Sequence, residues 1–332
     1  MRAWLMDSVE GVETLRLGEV ADPRPGMAHV LLRMRVAALN PADAFLARGM
    51  YPADPPLPHI LGRDGVGDVL AVGPGVDNVQ VGETVGILRC NAGVDRWGTL
   101  AEKVVVPMDG VIRVPPGWSL EETAGAPLVF LTAWQALTQW NDPPSPPPTG
   151  CVLLVTGASG GVGVASVMLG KSMGLTVAAL SRSEEKRARL KRLGADFVFD
   201  PLDSNLVKAV KATIRPKRVN LAIDNVGGPL FTQVIALLDH GGCMSVVGRS
   251  GGPVPEFNTA SLLFRRIRIG GVSVGDYSAQ AAQDVWKEIV DRLDGMGQRP
   301  RVDTVVPFEE VKRGFARLAQ GPMGKVLVRV AD

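Results

Sequence analysis

The run Gly157-Ala158-Ser159-Gly160-Gly161-Val162-Gly163 follows directly on the apolar stretch Val152-Leu153-Leu154-Val155-Thr156 and leads into a second apolar stretch, 164–173. Glycine belongs where a chain turns tightly, where a pyrophosphate approaches main-chain N–H groups, and where a helix packs on a strand with no side chain between. A helix opening at such a turn offers unpaired N–H donors and the positive end of its dipole, so it binds a dinucleotide phosphate without a basic residue in the loop. Ser159, Gly160, Gly161, Val162 and Gly163 are the candidate contacts. Ala158 stands where the first glycine of G-x-G-x-x-G is expected, which weakens the pattern taken alone. The strand expected over Thr176–Leu180 restores it, because it completes a βαβ unit of about 30 residues, the context the motif requires.

The end of that strand speaks to cofactor choice. Sheets that bind NAD usually place Asp or Glu there, to accept from the ribose 2′-hydroxyl. Here Ser181-Arg182-Ser183 follows instead. A hydroxyl, a guanidinium fork and an ammonium attract a 2′-phosphate that a carboxylate would repel. Lys186 lies one turn into a helix that Ser183 would cap, within reach of the same place. Ser181, Arg182 and Lys186 therefore predict NADPH. Arg189, Lys191 and Arg192, farther along, suit the negative end of the helix as a solvated face.

These groups need a frame, and 332 residues with 46% hydrophobic content suggest two domains. The charge balance, 36 − 34 = +2, argues against a nucleic-acid or membrane-surface protein. Cys90, Cys151 and Cys243 are odd in number and scattered, as reduced thiols are in a cytoplasmic protein. The opening Met1-Arg2-Ala3-Trp4-Leu5-Met6-Asp7 lacks the apolar stretch of a signal peptide, and no run reaches the ~18 residues of a membrane span.

Up to about residue 120 the texture is β. Val30, Leu32, Met34 and Val36 alternate with Leu31, Arg33 and Arg35, and glycine clusters at 65–75 and 82–86 mark turns. The proline-rich stretch 141–150 is an extended loop. After it strands and helices alternate: Thr176–Leu180, helix Glu184–Leu193 closed by Gly194, strand Phe197–Phe199, strand 221–223, helix 230–238, Gly241-Gly242, strand 244–247 and an edge strand over 267–269. This order predicts a doubly wound parallel sheet. In the tail Phe308, Val311, Phe315 and Leu318 share one helical face, Gly321 ends the helix, and 326–328 form a last strand that rejoins the first domain.

Six segments in order carry a resemblance that runs nearly end to end: Asn40-Pro41-Ala42-Asp43 with Gly49-Met50-Tyr51; Leu57-Pro58 with Gly62-Arg63-Asp64-Gly65-Val66-Gly67; Leu131-Thr132-Ala133-Trp134; the 157–163 turn; Asp224-Asn225-Val226-Gly227-Gly228; and Gly324-Lys325-Val326. The chain resembles the medium-chain dehydrogenase/reductase superfamily, in its zinc-independent quinone oxidoreductase and enoyl reductase branch. The resemblance implies an α/β fold with a GroES-like β-rich catalytic domain over 1–122 and 273–332, a Rossmann NADPH-binding domain over 123–272 with a doubly wound parallel sheet, and a homodimer. It implies contacts near the nicotinamide from Thr132, Asn225, Val226, Gly248 and Lys325. Asp64 is read as serving its turn.

Zinc members of the superfamily place cysteine and His-Glu where this chain has Asn40 and Arg63-Asp64, and amide and guanidinium cannot replace thiolate and imidazole as ligands. No metal is expected, and His29, His59 and His240 are read as surface or packing residues. Without a Lewis acid, the reaction expected is hydride transfer to an already activated acceptor, a quinone or a C=C conjugated to a carbonyl, whose oxygen gathers negative charge that a positioned donor stabilises. Tyr51 aligns with a tyrosine found in the active site of many members of this branch and is the candidate donor; Asn40 would orient substrate or nicotinamide. Phe45 replaces a second tyrosine of quinone reductases. The 157–161 turn is similar to zeta-crystallin-like quinone reductases, whereas Asn91-Ala92-Gly93 with Trp97 and Thr99 is similar to mitochondrial enoyl-thioester reductases. A non-catalytic NADPH-binding protein is the reading of another class.

Overall fold

A computed structural model describes residues 1–331, which fall into two compact units. The first comprises Met1–Leu128, Gly275–Lys287 and residues 299–331. Its main sheet runs in the order Val302–Pro307, Lys325–Arg329, His29–Ala38, Asp64–Val72, Thr84–Ile87, Val111–Arg113, with Lys103–Pro107 also paired to His29–Ala38. Val302–Pro307 and Lys325–Arg329 pair in parallel and the other pairs are antiparallel. The period-two pattern lands as expected: Val30, Leu32, Met34 and Val36 are buried. Strand Asp64–Val72 approaches closely because Gly65 and Gly67 have no side chain; a Cβ at Gly65 would sit 2.6 Å from the Val36 carbonyl oxygen, and one at Gly67 2.5 Å from that of Arg33. Phe308, Val311 and Phe315 join the same core as Leu32 and Met34, and the tail thereby becomes part of this unit.

Register decides what stands at one end of this sheet. Ala38 pairs with Asp64 on one side and with Leu327 on the other. Asn40 lies just past the first strand and Lys325 opens the third, so three polar residues distant in sequence meet.

The second unit comprises Val129–Val274 and Glu288–Gln298. Six strands, all parallel, run in the order Phe197–Phe199, Thr176–Leu180, Val152–Val155, Val219–Asp224, Leu238–Val246, Arg268–Gly271. Several expected bounds shift, and residues 123–128, read from sequence as opening the second domain, cluster with the first unit. The first helix starts at Gly161, earlier than 164, because the glycine turn forms its first turn. The strand expected over 244–247 begins at Leu238: Val219 pairs with Leu238 and Leu221 with Cys243, so the two glycines ride in an irregularity that Gly241 accommodates at φ +72°. Glu288–Gln298, read from sequence as part of the 273–332 segment, cluster with this unit, where Arg292 donates to the Ser172 carbonyl at 3.2 Å and Gln298 to that of Leu193 at 3.3 Å. No helix among the described residues is long and apolar enough to cross a membrane.

Candidate functional site

In the second unit the strand Val152–Val155 delivers Thr156 and the turn. Gly157 adopts φ +55°, and Gly160 caps the helix Gly161–Ser172 without any side-chain cap bond, which leaves the first turn open to an anion. Gly163 presses on the turn: a Cβ there would lie 2.3 Å from the Gly157 carbonyl oxygen. Ser159, Gly161 and Val162 are half-buried beside it.

The adjacent strand end is tied to this turn. Thr156 Oγ1 donates to Asp224 Oδ1 at 2.7 Å and accepts from the Asn225 N–H at 2.9 Å, while Asn225 Nδ2 donates to the Thr156 carbonyl at 2.8 Å. Asp224 Oδ1 also accepts from the N–H groups of Val226 and Gly227, and the Asp224 carbonyl from that of Gly248. Asn225, Val226 and Gly248 thus gather at the 157–163 turn. Asn225 Oδ1 is buried without a hydrogen-bond partner, an acceptor available where open sheets of this order bind their ligand. Thr132 lies on the helix Pro127–Thr138 and is half-buried.

At the end of Thr176–Leu180, Ser181 is buried, Arg182 exposed, and Ser183 caps the helix Glu184–Leu193 by accepting from the Lys186 N–H at 3.3 Å. One residue here was missed from sequence. Arg187 Nη1 donates to the carbonyls of Ser181 and Arg182 at 2.7 and 3.1 Å and to Asp200 at 2.9 Å, bracing the Ser181-Arg182 segment and neutralising the acid at the next strand end. Its place among neighbouring lysines and arginines hid it.

The first unit holds a second constellation. Asn40 caps the helix Pro41–Leu46, its N–H bound to Asp43 Oδ2 at 2.8 Å. Its side chain donates from Nδ2 to Asp64 Oδ2 at 2.8 Å and accepts at Oδ1 from Lys325 Nζ at 2.6 Å, and Lys325 reaches the same Asp64 oxygen at 3.3 Å. All three are at least 95% buried. Lys325, expected near the nicotinamide, therefore spends its ammonium on Asn40 and Asp64, and Asp64 does more than serve a turn. Beside this triangle Arg63 donates from Nη1 to the Tyr51 hydroxyl at 3.1 Å, lies over the Tyr51 ring at 4.8 Å, and places Nε 3.6 Å from Asp43 Oδ1. Burial pushes the Asp43 carboxyl up to about 6 against the pull of Arg63. Burial likewise raises the Cys90 thiol to about 11, which removes it as a thiolate, and lowers His59, whose Nε2 is buried without a partner.

This fold and these two constellations define a nucleotide-binding parallel sheet joined in sequence to a GroES-like β unit. Residues 26–116 match the alcohol dehydrogenase GroES-like domain family and 161–294 the zinc-binding dehydrogenase family. The chain is 30% identical to rat quinone oxidoreductase-like protein 2 over 95% of its own length and 89% of the relative's, and 28% identical to mitochondrial enoyl-[acyl-carrier-protein] reductase of Xenopus tropicalis over 96% and 91%. Among solved structures it is similar to an NAD-dependent alcohol dehydrogenase (32% identity, all of both chains, TM-score 0.90) and to a mycobacterial protein complexed with NADPH (25%, 99% and 100%, TM-score 0.89). The chain belongs to the medium-chain dehydrogenase/reductase superfamily of oxidoreductases, in its quinone oxidoreductase-like branch.

The zinc in that family description does not fit the residues present. The oxygens of Asn40 and Asp64 are already bound by the Lys325 ammonium, Arg63 brings a cation, and among the described residues no three His, Cys, Asp or Glu side chains converge to hold a metal ion.

Proposed function

We propose that the chain is an NADPH-dependent, zinc-independent reductase that transfers hydride to a quinone or to the C=C of an α,β-unsaturated carbonyl. The observation that carries this reading is the Tyr51 hydroxyl, half-buried and held by Arg63, a donor suited to an acceptor oxygen that gains charge. Bound NADPH would supply the hydride. The open helix start at Gly161, with Ser159, Gly160, Val162 and Gly163, would hold its pyrophosphate, and Ser181, Arg182 and Lys186 its 2′-phosphate. Asn40, locked by Lys325 and Asp64, supports the loop that leads to Tyr51. The three cysteines, all free, suit the reduced thiols of a cytoplasmic enzyme.

An enoyl thioester is the second reading, favoured by Met50 and Leu57, large apolar residues exposed on the segment around Tyr51 and suited to an alkyl chain. NADPH oxidation measured across quinones, enones and enoyl thioesters, with native chain and Tyr51→Phe, tests both. We expect turnover of at least one class, and a loss of about 10²-fold or more for enones or enoyl thioesters in the variant with NADPH affinity unchanged. No turnover of any electrophile would leave a non-catalytic NADPH-binding protein.

A further inference from the structure

Arg63 leaves most of its hydrogen-bond donors unused. A guanidinium carries five N–H donors. Here Nε and Nη2 are buried without hydrogen-bond partners, and the side chain is only 11% exposed. Its counter-ion Asp43, fully buried, stands at 3.6 Å from Nε, too far for a hydrogen bond, and Asp43 Oδ1 is itself without one. An arginine retained only to neutralise Asp43 would close on it as a fork. Instead its hydrogen bond goes to the Tyr51 oxygen, and its plane covers the Tyr51 ring.

The consequence lies in the phenol's one hydrogen. A phenol oxygen both donates and accepts, and a guanidinium only donates, so the Tyr51 hydrogen cannot point at Arg63. It must be directed away, toward whatever enters on the exposed side of the ring. The ring contact restrains the remaining freedom. We infer that Arg63, anchored by Asp43, is a positioning residue that aims the Tyr51 O–H at the acceptor oxygen and adds fixed positive charge behind it. This rests on the reading of Tyr51 as the donor. It assigns to Arg63-Asp43 a preorganising role that supports transition-state stabilisation without touching the cofactor.

A double-mutant cycle on enone or enoyl-thioester reduction tests it. The cycle is run in the native chain, which keeps the Asp43 anchor, with Arg63→Met, Tyr51→Phe and both, each checked for a cooperative thermal melt. We expect Arg63→Met to lower kcat by about tenfold to a hundredfold, the range for one charge-assisted hydrogen bond, with the KM for NADPH unmoved. In the Tyr51→Phe background the same change should cost nothing further. Losses that multiply, or an unchanged rate in Arg63→Met, would overturn the inference. An unchanged rate in Tyr51→Phe itself would overturn the reading beneath it as well, which separates the two failures. Should Arg63→Met not fold, Arg63→Lys in the native chain completes the same cycle, since it keeps the charge against Asp43 while giving up the planar fork.

Discussion

Thr156 Oγ1 donates to Asp224 Oδ1 across 2.7 Å and so joins the ends of two neighbouring parallel strands. Asp224 is completely buried, and the same Thr156 oxygen accepts the Asn225 N–H. The glycine turn and the Asn225-Val226 segment, both expected to hold the dinucleotide, thus share one hydroxyl.

Thr156→Val keeps the shape and removes that hydroxyl, leaving the Asn225 N–H and one Asp224 lone pair without it. Such a loss costs about 1–3 kcal/mol. The urea midpoint should fall, and NADPH should bind more weakly by fluorescence titration. A midpoint and affinity equal to those of the native chain would show that the turn holds itself.

Cofactor preference is expected to rest on Ser181, Arg182 and Lys186. Arg182→Ala with Lys186→Ala should raise the KM for NADPH roughly 10²-fold or more, as the loss of two charge-assisted bonds implies, and leave that for NADH nearly unmoved. Equal weakening of both cofactors would move these cations to the shared pyrophosphate or to the fold.

Asp43 has a pH signature. Its folded pKa of about 6 lies above the ordinary aspartate value of 3.8, so the folded chain holds this proton more tightly than the unfolded chain. The group's contribution is most favourable below about pH 4, declines as pH rises to about 6, and is flat above, a span on the order of 3 kcal/mol. Asp303, where burial is outweighed by bonds from Arg317, the Met323 N–H and Thr304, is held low and acts in the opposite sense. Subtracting the melting profile of Asp43→Asn from the native one across pH 4–7 isolates the first effect; a flat difference would count against it.

Purified protein should contain no stoichiometric zinc, because Lys325 already bridges Asn40 and Asp64. Elemental analysis is the check, and about one zinc per chain with activity lost to a chelator would refute the expectation.

We propose a homodimer through the edge strand Arg268–Gly271, which ends the parallel sheet, with Leu263 and Phe264 on the preceding helix 71% and 77% exposed. Light scattering at micromolar concentration should give twice the chain mass, and Leu263→Asp with Phe264→Asp should halve it. A monomeric native chain would end the proposal.

Local signals carried the sequence far. The βαβ turn, the Ser183 cap with Lys186 one turn on, and the Phe308-Val311-Phe315 face were all legible, because caps, turns and periodicity depend on residues within a few positions of one another. The Asn40-Asp64-Lys325 triangle was not. Its members lie up to 285 residues apart, and only the register that pairs Ala38 with both Asp64 and Leu327 brings them together. Register depends on which faces are buried across a whole sheet and on turns elsewhere, so no local pattern announces it. Arg63 follows the same rule: as a residue in a sequence it marks a missing zinc ligand, and only the tertiary structure, by leaving its donors unpaired beside Asp43 and turning one to Tyr51, decides what it does instead.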